Sequence, residues 1–349
     1  MPGLIPPETA AAPRLPFVTP TAHAQLPEGP LDVVVGPESA AGPHGAFAVV
    51  CAGGPVICFA GPDLGVVATY SDHEGGACAA AYSTDGRILV SGGQDGTYAV
   101  RTIDGVRQSE RSTTWVERVA VSHDGKRFAV SRGKTVLVID TASFAVCATH
   151  VLTSTPSALR FFGGILAAAC YGGVHVWSQD GTGAQRTYAW RSALVSLVQS
   201  PDAKYFAAGC QDASVHCWKR SSGEDFQMSG YPSKVKALAF SQDSRFLATG
   251  GSDTVTLWDF AGAGPQGSTP RELFGHAGIV TALAFSSPRR LWSGGHDGAL
   301  IGWDLAARRG NGPVALHVDD SPVVAVVVVA RHVIAAHSGG VIVSCEVAS

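Results

Sequence analysis

The sequence predicts an all-β protein assembled from eight copies of one short unit. One phrase recurs along the chain: an apolar strand, a turn of small residues, and a second strand that often ends in an aromatic residue. The turns of successive copies lie 39 to 44 residues apart, and a period of this length is the mark of a repeat architecture. The 349 residues include 42 Gly and 20 Pro but only 15% charged residues. This composition favours many short strands joined by tight turns over long surface helices.

Each copy predicts a β-hairpin within a larger unit. The four clearest copies occupy residues 87–100, 205–218, 246–259 and 291–304. An alternating apolar strand with a polar turn precedes each hairpin, and a weaker fourth strand follows it. Four short strands in each repeat are the content of one propeller blade.

The hairpins resemble WD40 repeats, in which an Asp, a His, a Ser or Thr and a Trp hydrogen-bond across each blade. The seventh unit matches the whole set with Asp297, His276, Ser293 and Trp303. The resemblance implies a single closed WD40 β-propeller over residues 31–349. Eight hairpins predict eight four-stranded blades, and the alternative is a seven-bladed ring with the first unit outside it.

Two further units keep part of this hydrogen-bonding set. In the sixth unit Tyr231 stands where the repeat has its His. The retained residues are Asp253, Thr249 and Trp258 in the sixth unit and His73, Ser91 and Asp95 in the second. The resemblance implies a structural role for these residues within their blades.

The N-terminal segment, residues 1–30, contains eight prolines and precedes the repeats. The last unit ends too soon to supply its own fourth strand, so the ring needs a strand from elsewhere. Residues 15–19 are the expected donor. Pairing the two ends of the chain in one blade would remove both exposed sheet edges.

No catalytic motif is present, and we predict neither enzymatic activity, a cofactor nor a metal site. The sequence contains no G-x-S-x-G elbow, no phosphate-binding loop and no H-E-x-x-H. Glycine pairs at 92–93, 250–251 and 294–295 precede hairpin turns, where we expect them to supply a positive φ. Cysteines stand singly in apolar strands and form no C-x-x-C pair.

The turns and the links between units are rich in aromatic and basic residues. Large aromatic side chains and Arg dominate interface energetics, so we expect a partner to bind there. The competing interpretation is that Trp115, Trp190 and Tyr231 fill the place of the missing repeat His. The candidate partner-binding residues are Trp115, Glu117, Arg118, Arg132, Lys134, Trp190, Arg191, Tyr231 and Lys234.

These features favour a non-catalytic scaffold that presents a rigid propeller face to another protein. The segments 113–140, 171–177 and 228–259 also resemble bacterial WD40 proteins encoded beside CobW-type metallochaperone GTPases, and the similarity covers most of units two to seven. The resemblance implies a GTPase partner or a role in metal homeostasis. The alternatives are an RNA-assembly factor and a propeller that binds a small ligand or metal. A net charge of −3 argues against general nucleic-acid binding.

The sequence also predicts a cytoplasmic protein that is monomeric on its own. The longest apolar run, Val323–Ala330, is far shorter than the roughly 20 residues that a membrane-spanning helix needs. The N-terminus lacks the charged start and the apolar centre of a signal peptide.

Overall fold

The fold is all-β in the residues that the structure describes, namely 18–36, 44–183, 185–262, 264–306 and 313–347 of a computed structural model. Thirty strands and no helix occur in these ranges. The strands form seven hydrogen-bonded sheets, six with four strands and one with six. All pairings are antiparallel, as a chain of short hairpins requires.

The first half of the chain forms β1 to β15. Their bounds are β1 Ala22–Gln25, β2 Pro30–Val35, β3 Phe47–Cys51, β4 Val56–Phe59, β5 Val66–Tyr70, β6 Ala77–Tyr82, β7 Leu89–Gly93, β8 Tyr98–Thr102, β9 Gly105–Gln108, β10 Val116–Val121, β11 Arg127–Arg132, β12 Thr135–Asp140, β13 Val146–Val151, β14 Ala158–Phe162 and β15 Ile165–Ser178.

The second half forms β16 to β30. Their bounds are β16 Arg186–Gln199, β17 Tyr205–Cys210, β18 Val215–Lys219, β19 Asp225–Met228, β20 Leu238–Phe240, β21 Phe246–Thr249, β22 Thr254–Asp259, β23 Arg271–Phe274, β24 Val280–Ser287, β25 Arg290–Gly295, β26 Ala299–Asp304, β27 Ala315–Val318, β28 Val323–Val329, β29 His332–His337 and β30 Val341–Glu346.

The prediction of eight separate four-stranded sheets is corrected to seven sheets. Units four and five lie in one six-stranded sheet because two strands are continuous. The second and third strands of unit four form the single strand β15, and β16 continues from unit four into unit five without a loop. The first part of β16 pairs with β15 as far as Ala193, and the part from Leu194 onward pairs with β17. Both units therefore contribute their strands, but a shared strand joins them.

The innermost strands contact one another in a closed circle. The order is β2, β6, β10, β14, β16, β20, β24 and β28, and β28 contacts β2 again. The first unit forms the sheet β2-β3-β4-β5 and β2 belongs to this circle. The alternative number of seven is therefore confirmed by the seven sheets, but the first unit belongs to the circle and does not lie outside it.

An N-terminal strand, β1, hydrogen-bonds along the last strand, β30. Ala22 lies opposite Ser344, and Gln25 lies opposite Val341. The sheet has the order β1-β30-β29-β28, so β1 takes the outer place that a fourth strand has in the other units. The predicted donor, residues 15–19, lies partly outside the described residues, and the pairing strand starts at Ala22 instead.

The core lies between neighbouring sheets. One cluster joins the first unit and the last, with Phe47, Phe59, Ile334 and Ile342 all buried. An isolated β-hairpin is only marginally stable in water. Burial of apolar side chains between successive sheets therefore supplies the main driving force for folding.

Most of the predicted glycine pairs have a different function from the one expected. Among them only Gly251 has a positive φ, of 100°. A Cβ added at Gly294 would overlap Val323 of the next inner strand, and one at Gly93 would overlap the His73 ring. These glycines therefore permit close approach of neighbouring elements, while the turn conformation is supplied later, for example at Gly298.

Candidate interaction rim

One end of the ring collects the starts of the inner strands and the turns between the second and third strands of each unit. Val116, the first residue of β10, lies opposite Arg132, the last residue of β11. Loops of neighbouring units are hydrogen-bonded here: Ala77 N–H donates to the Gly54 carbonyl at 3.0 Å. We call this end the rim.

The seventh unit fixes its rim loop through a chain of buried side chains. Trp303 Nε1–H donates to Ser293 Oγ at 2.8 Å, and Ser293 Oγ lies 2.7 Å from His276 Nε2. His276 Nδ1 lies 3.1 Å from the Asp297 carboxylate. Asp297 also accepts the backbone N–H of Ala277 at 2.7 Å. The chain thus ties the rim loop to the middle of the sheet.

Burial determines the charge state of this chain. It lowers the pKa of His276 below its usual 6.5, and the nearby Asp297 opposes that shift without cancelling it. The pKa of Asp297 is raised by burial, but the hydrogen bonds from the backbone N–H groups of Ala277 and Ala299 and from His276 lower it on balance. A neutral imidazole that donates from Nδ1 and accepts at Nε2 satisfies both neighbours.

The second unit has a similar arrangement without the Trp. His73 Nε2 lies 2.8 Å from Ser91 Oγ, and His73 Nδ1 lies 3.3 Å from Asp95. Thr97 Oγ1 also lies 3.0 Å from Nδ1 and stabilises the same ring nitrogen.

In the sixth unit, Tyr231 occupies the place of the His. Its hydroxyl lies 2.8 Å from Thr249 Oγ1 and accepts a hydrogen bond from Trp258 Nε1 at 2.9 Å. Burial raises the pKa of Tyr231 to about 12. Asp253 is exposed and bonds only its neighbour Thr254, so it stands outside this network.

Trp190 fills the corresponding place in the fifth unit. Its ring stacks on His216 with centroids 3.6 Å apart and an angle of 17° between the planes. His216 Nε2 in turn lies 2.8 Å from Asp225. Both Trp190 and Tyr231 therefore support the interpretation that an aromatic residue replaces the repeat His.

Trp115 does not occupy that place. His276, Trp190 and Tyr231 each stand four residues before a buried rim residue, Val280, Leu194 and Val235 respectively. Trp115 directly precedes the corresponding residue, Val116, and its side chain is 50% exposed. It is available for contact at the rim.

The remaining candidate partner-binding residues divide into two groups. Arg132 is engaged internally, because its Nη2 donates to the carbonyls of Gly96 and Glu110 and to Ser109 Oγ. Arg118 Nε donates to the Ser157 carbonyl at 2.8 Å and faces a channel cavity. Glu117 is half-buried beside Arg118 at the start of β10, and the exposed candidates are Lys134, Arg191 and Lys234.

The structure adds three exposed apolar residues to the rim that the sequence analysis missed. Leu31, Tyr171 and Ile279 are 52%, 56% and 44% exposed. Tyr171 lies where β15 passes from the second to the third strand of the fourth unit. The equivalent turn residues of the other units are Gly53, Gly92, Arg132, Cys210, Gly250, Gly294 and Ser338. An aromatic residue at a turn position where no other unit has one is the signal that could have identified it.

The described residues contain no group of three or more His, Cys, Asp or Glu side chains that could hold a metal ion. All eight cysteines are unpaired thiols. Within the described part of the chain, no helix is long and apolar enough to cross a membrane.

Comparison with known proteins agrees with the repeat pattern. The family model "WD domain, G-beta repeat" matches residues 65–100, 185–219, 225–259 and 267–304. Actin-interacting protein 1 of Caenorhabditis elegans is 26% identical over 204 residues, covering 55% of this chain. The match spans only 33% of that relative.

A solved structure has a similar fold. The computationally designed Ika8 protein superposes with a TM-score of 0.70 at 23% identity, over 86% of this chain and 92% of the designed one. At this identity the similarity concerns the fold alone.

Proposed function

We propose that this chain is a WD40-repeat protein that acts as a non-catalytic scaffold and binds another protein at the rim. The match of the WD-repeat family model to four stretches of the chain supports the family. WD40 propellers generally act as interaction platforms. The relative from C. elegans carries a protein partner, actin, in its name, which supports the same class of function.

The exposed apolar side chains at the rim carry this proposal. Trp115 and Tyr171 belong to neighbouring units, and both present more than a third of their surface to solvent. Exposed Lys134, Arg191 and Lys234 lie at the same end. Aromatic anchors beside flexible cations are the residue types that contribute most to protein interfaces.

The first partner to test is a CobW-type GTPase. The sequence resemblance of units two to seven to proteins encoded beside such GTPases is the reason for this choice. We propose a cytoplasmic location with it, because eight unpaired thiols suit a reducing compartment.

A binding assay with purified components tests the proposal. The full chain is immobilised and a CobW-type GTPase is passed over it, once with zinc and once with a chelator. The variant Trp115→Ala/Tyr171→Ala should weaken binding at least about tenfold, since buried aromatic anchors contribute roughly 2 kcal/mol or more each.

The matched control removes apolar surface elsewhere. Val66→Ala/Val146→Ala changes two outer-strand residues that are 60% and 52% exposed and lie at the strand ends away from the rim, so binding should be unchanged. Equal loss in both double variants, or none in the rim variant, would contradict a rim interface. Binding lost only in the rim variant, but for a different protein captured from lysate, would support the scaffold and reject the GTPase.

A further inference from the structure

The lining of the central channel is uniform except in one sector. The inner strands carry a bulge near their start in most units, for example between Val280 and Ala282, and the next residues fall into register. The residues that follow the bulge are Asp32, Ala79, Arg118, Ser196, Ala282 and Ala325, and the equivalent residues of the two units without a bulge are Ala158 and Ala237. Only Asp32 and Arg118 depart from a small side chain.

The position two residues further along the inner strands repeats this contrast. Its residues are Val34, Ala81, Ala120, Arg160, Val198, Ala239, Ala284 and Val327. Only Arg160 is charged. Eight equivalent strands show that the fold needs nothing larger than Val here, so these three charged side chains are not a structural requirement.

The three residues share a cavity. A space of about 350 Å³ is lined by Asp32, Arg118 and Arg160, with Cys78 and Ser157 at its wall. A neighbouring space of about 300 Å³ is also lined by Asp32 and Arg160. The volume falls within the range of small-molecule sites, which runs from about 300 to 1,000 Å³.

The charges surround the cavity without neutralising one another. Asp32 accepts only the backbone N–H of Val33, at 2.9 Å. Arg160 Nη1 donates only to the Leu159 carbonyl at 3.2 Å, and Arg118 donates to the Ser157 and Glu117 carbonyls. Among the described residues no ion pair within 4.0 Å joins Asp32 to either arginine.

The three charged side chains differ in exposure: Asp32 and Arg118 are half-buried, and Arg160 is exposed. Burial raises the pKa of Asp32, and the charges of Arg160 and Arg118 only partly offset that effect. Opposite charges that are partly removed from water are commonly paired, because a direct contact reduces the cost of desolvation. Here a gap separates them, and a ligand of matching charge would fill it.

We propose that the channel binds a small 2-hydroxycarboxylate at Asp32, Arg118 and Arg160. The carboxylate lies between the two guanidinium groups, which match the planar geometry of a carboxylate. The neighbouring hydroxyl donates to the free carboxylate oxygen of Asp32. Two cations and one anion give the site a net charge of +1, which a monoanion neutralises and a zwitterionic amino acid does not.

Calorimetric titration of the full chain tests this site. The probes are L-lactate, propionate, which lacks the hydroxyl, L-alanine and inorganic phosphate. We expect one lactate for each chain, with weaker binding of propionate and of L-alanine. Arg160→Gln and Arg118→Gln should each raise the Kd for lactate at least about tenfold, because charge-assisted hydrogen bonds to the carboxylate are lost.

Two further variants make the result specific. Asp32→Asn should abolish the preference for lactate over propionate while propionate still binds. Lys204→Gln removes a surface cation whose side chain is 73% exposed and should leave lactate binding unchanged.

The proposal is overturned by any of three results. These are no binding of lactate to the folded wild type at millimolar concentration, undiminished binding in Arg160→Gln, or phosphate bound more tightly than either carboxylate. Arg160 makes one hydrogen bond within the protein, so we expect Arg160→Gln to fold. This variant therefore tests the site even if Arg118→Gln does not fold. The titration needs no protein partner, so its failure leaves the rim proposal standing.

Discussion

At the residue scale, the hydrogen-bonded chain of the seventh unit shows how a few polar side chains hold a rim loop. Ser293 connects Trp303 to His276, and all three side chains are buried. Removal of the hydroxyl would leave an indole N–H and an imidazole nitrogen without partners. An unsatisfied buried polar group costs more than the net value of the bond it lost.

Ser293→Ala should therefore destabilise the protein by about 2–3 kcal/mol, whereas Ser91→Ala should cost about 1–2 kcal/mol. The difference arises because Ser91 serves His73 alone and no Trp depends on it. Urea unfolding of the two variants beside wild type gives the comparison. An equal decrease in the free energy of unfolding for both variants would show that the hydrogen bond from Trp303 to Ser293 does not contribute to stability.

Stability should also fall with acidification below neutral pH. Burial lowers the pKa of His73 and of His276, so both are neutral when folded, whereas the unfolded chain gains protons near pH 6.5. The stabilisation is complete above about pH 6.5 and is lost as the pH falls toward the lower folded pKa. Urea unfolding at pH 7.5 and 5.5 measures the loss.

His276→Gln should show a smaller loss over the same pH interval. His123→Gln replaces an exposed histidine and should keep the wild-type dependence. A pH dependence unchanged in His276→Gln would mean that this imidazole is not the titrating group.

At the element scale, glycine controls how closely neighbouring units pack. A Cβ added at Gly209 in β17 would overlap the carbonyl oxygen of Val235 at the start of the sixth unit. The overlap is with backbone, so no side-chain rotation relieves it. The fifth and sixth units can therefore pack this closely only because Gly209 has no Cβ.

Gly209→Ala should destabilise the protein by about 3 kcal/mol, as overpacking of a tight contact does. Gly164→Ala is the matched control, since a Cβ at Gly164 has no atom within 4 Å and its φ is not positive. Its effect should stay within about 0.5 kcal/mol. Thermal unfolding of both variants measures the difference. If Gly209→Ala unfolds like the wild type, the close contact between Gly209 and the Val235 carbonyl does not limit packing.

At the scale of the whole molecule, the pairing of β1 with β30 joins the two ends of the chain. This pairing completes the last sheet, because without it β30 would present an open sheet edge. Leu26 N–H also donates to the Gly340 carbonyl at 2.8 Å, which extends the contact beyond the strand.

Deletion of residues 1–28 should lower Tm by about 5 °C or more, since a lost strand removes several kcal/mol. It should also promote association through the exposed edge of β30. Deletion of residues 1–17 retains β1 and should leave Tm unchanged. Light scattering beside calorimetry checks both effects, and equal Tm for the two deletions would mean that the pairing of β1 with β30 does not stabilise the protein.

The period of the repeat predicted the strand content well, because each unit is a local pattern. The expected fourth strands appear as β5, β13 and β23. The role of Asp32, Arg118 and Arg160 could not be predicted in this way. They stand on different units and share a cavity only once the inner strands form a circle, a relation that no sequence spacing expresses.

The continuity of β16 also determines where the chain can be opened. Six other links between successive units are loops or turns, such as residues 109–115 between β9 and β10. Circular permutation should accept new termini in such a loop, because no ladder hydrogen bond is cut. A break between Ala193 and Leu194 would divide one strand between two fragments. A split version of this protein would therefore reassemble best when units four and five stay in the same fragment.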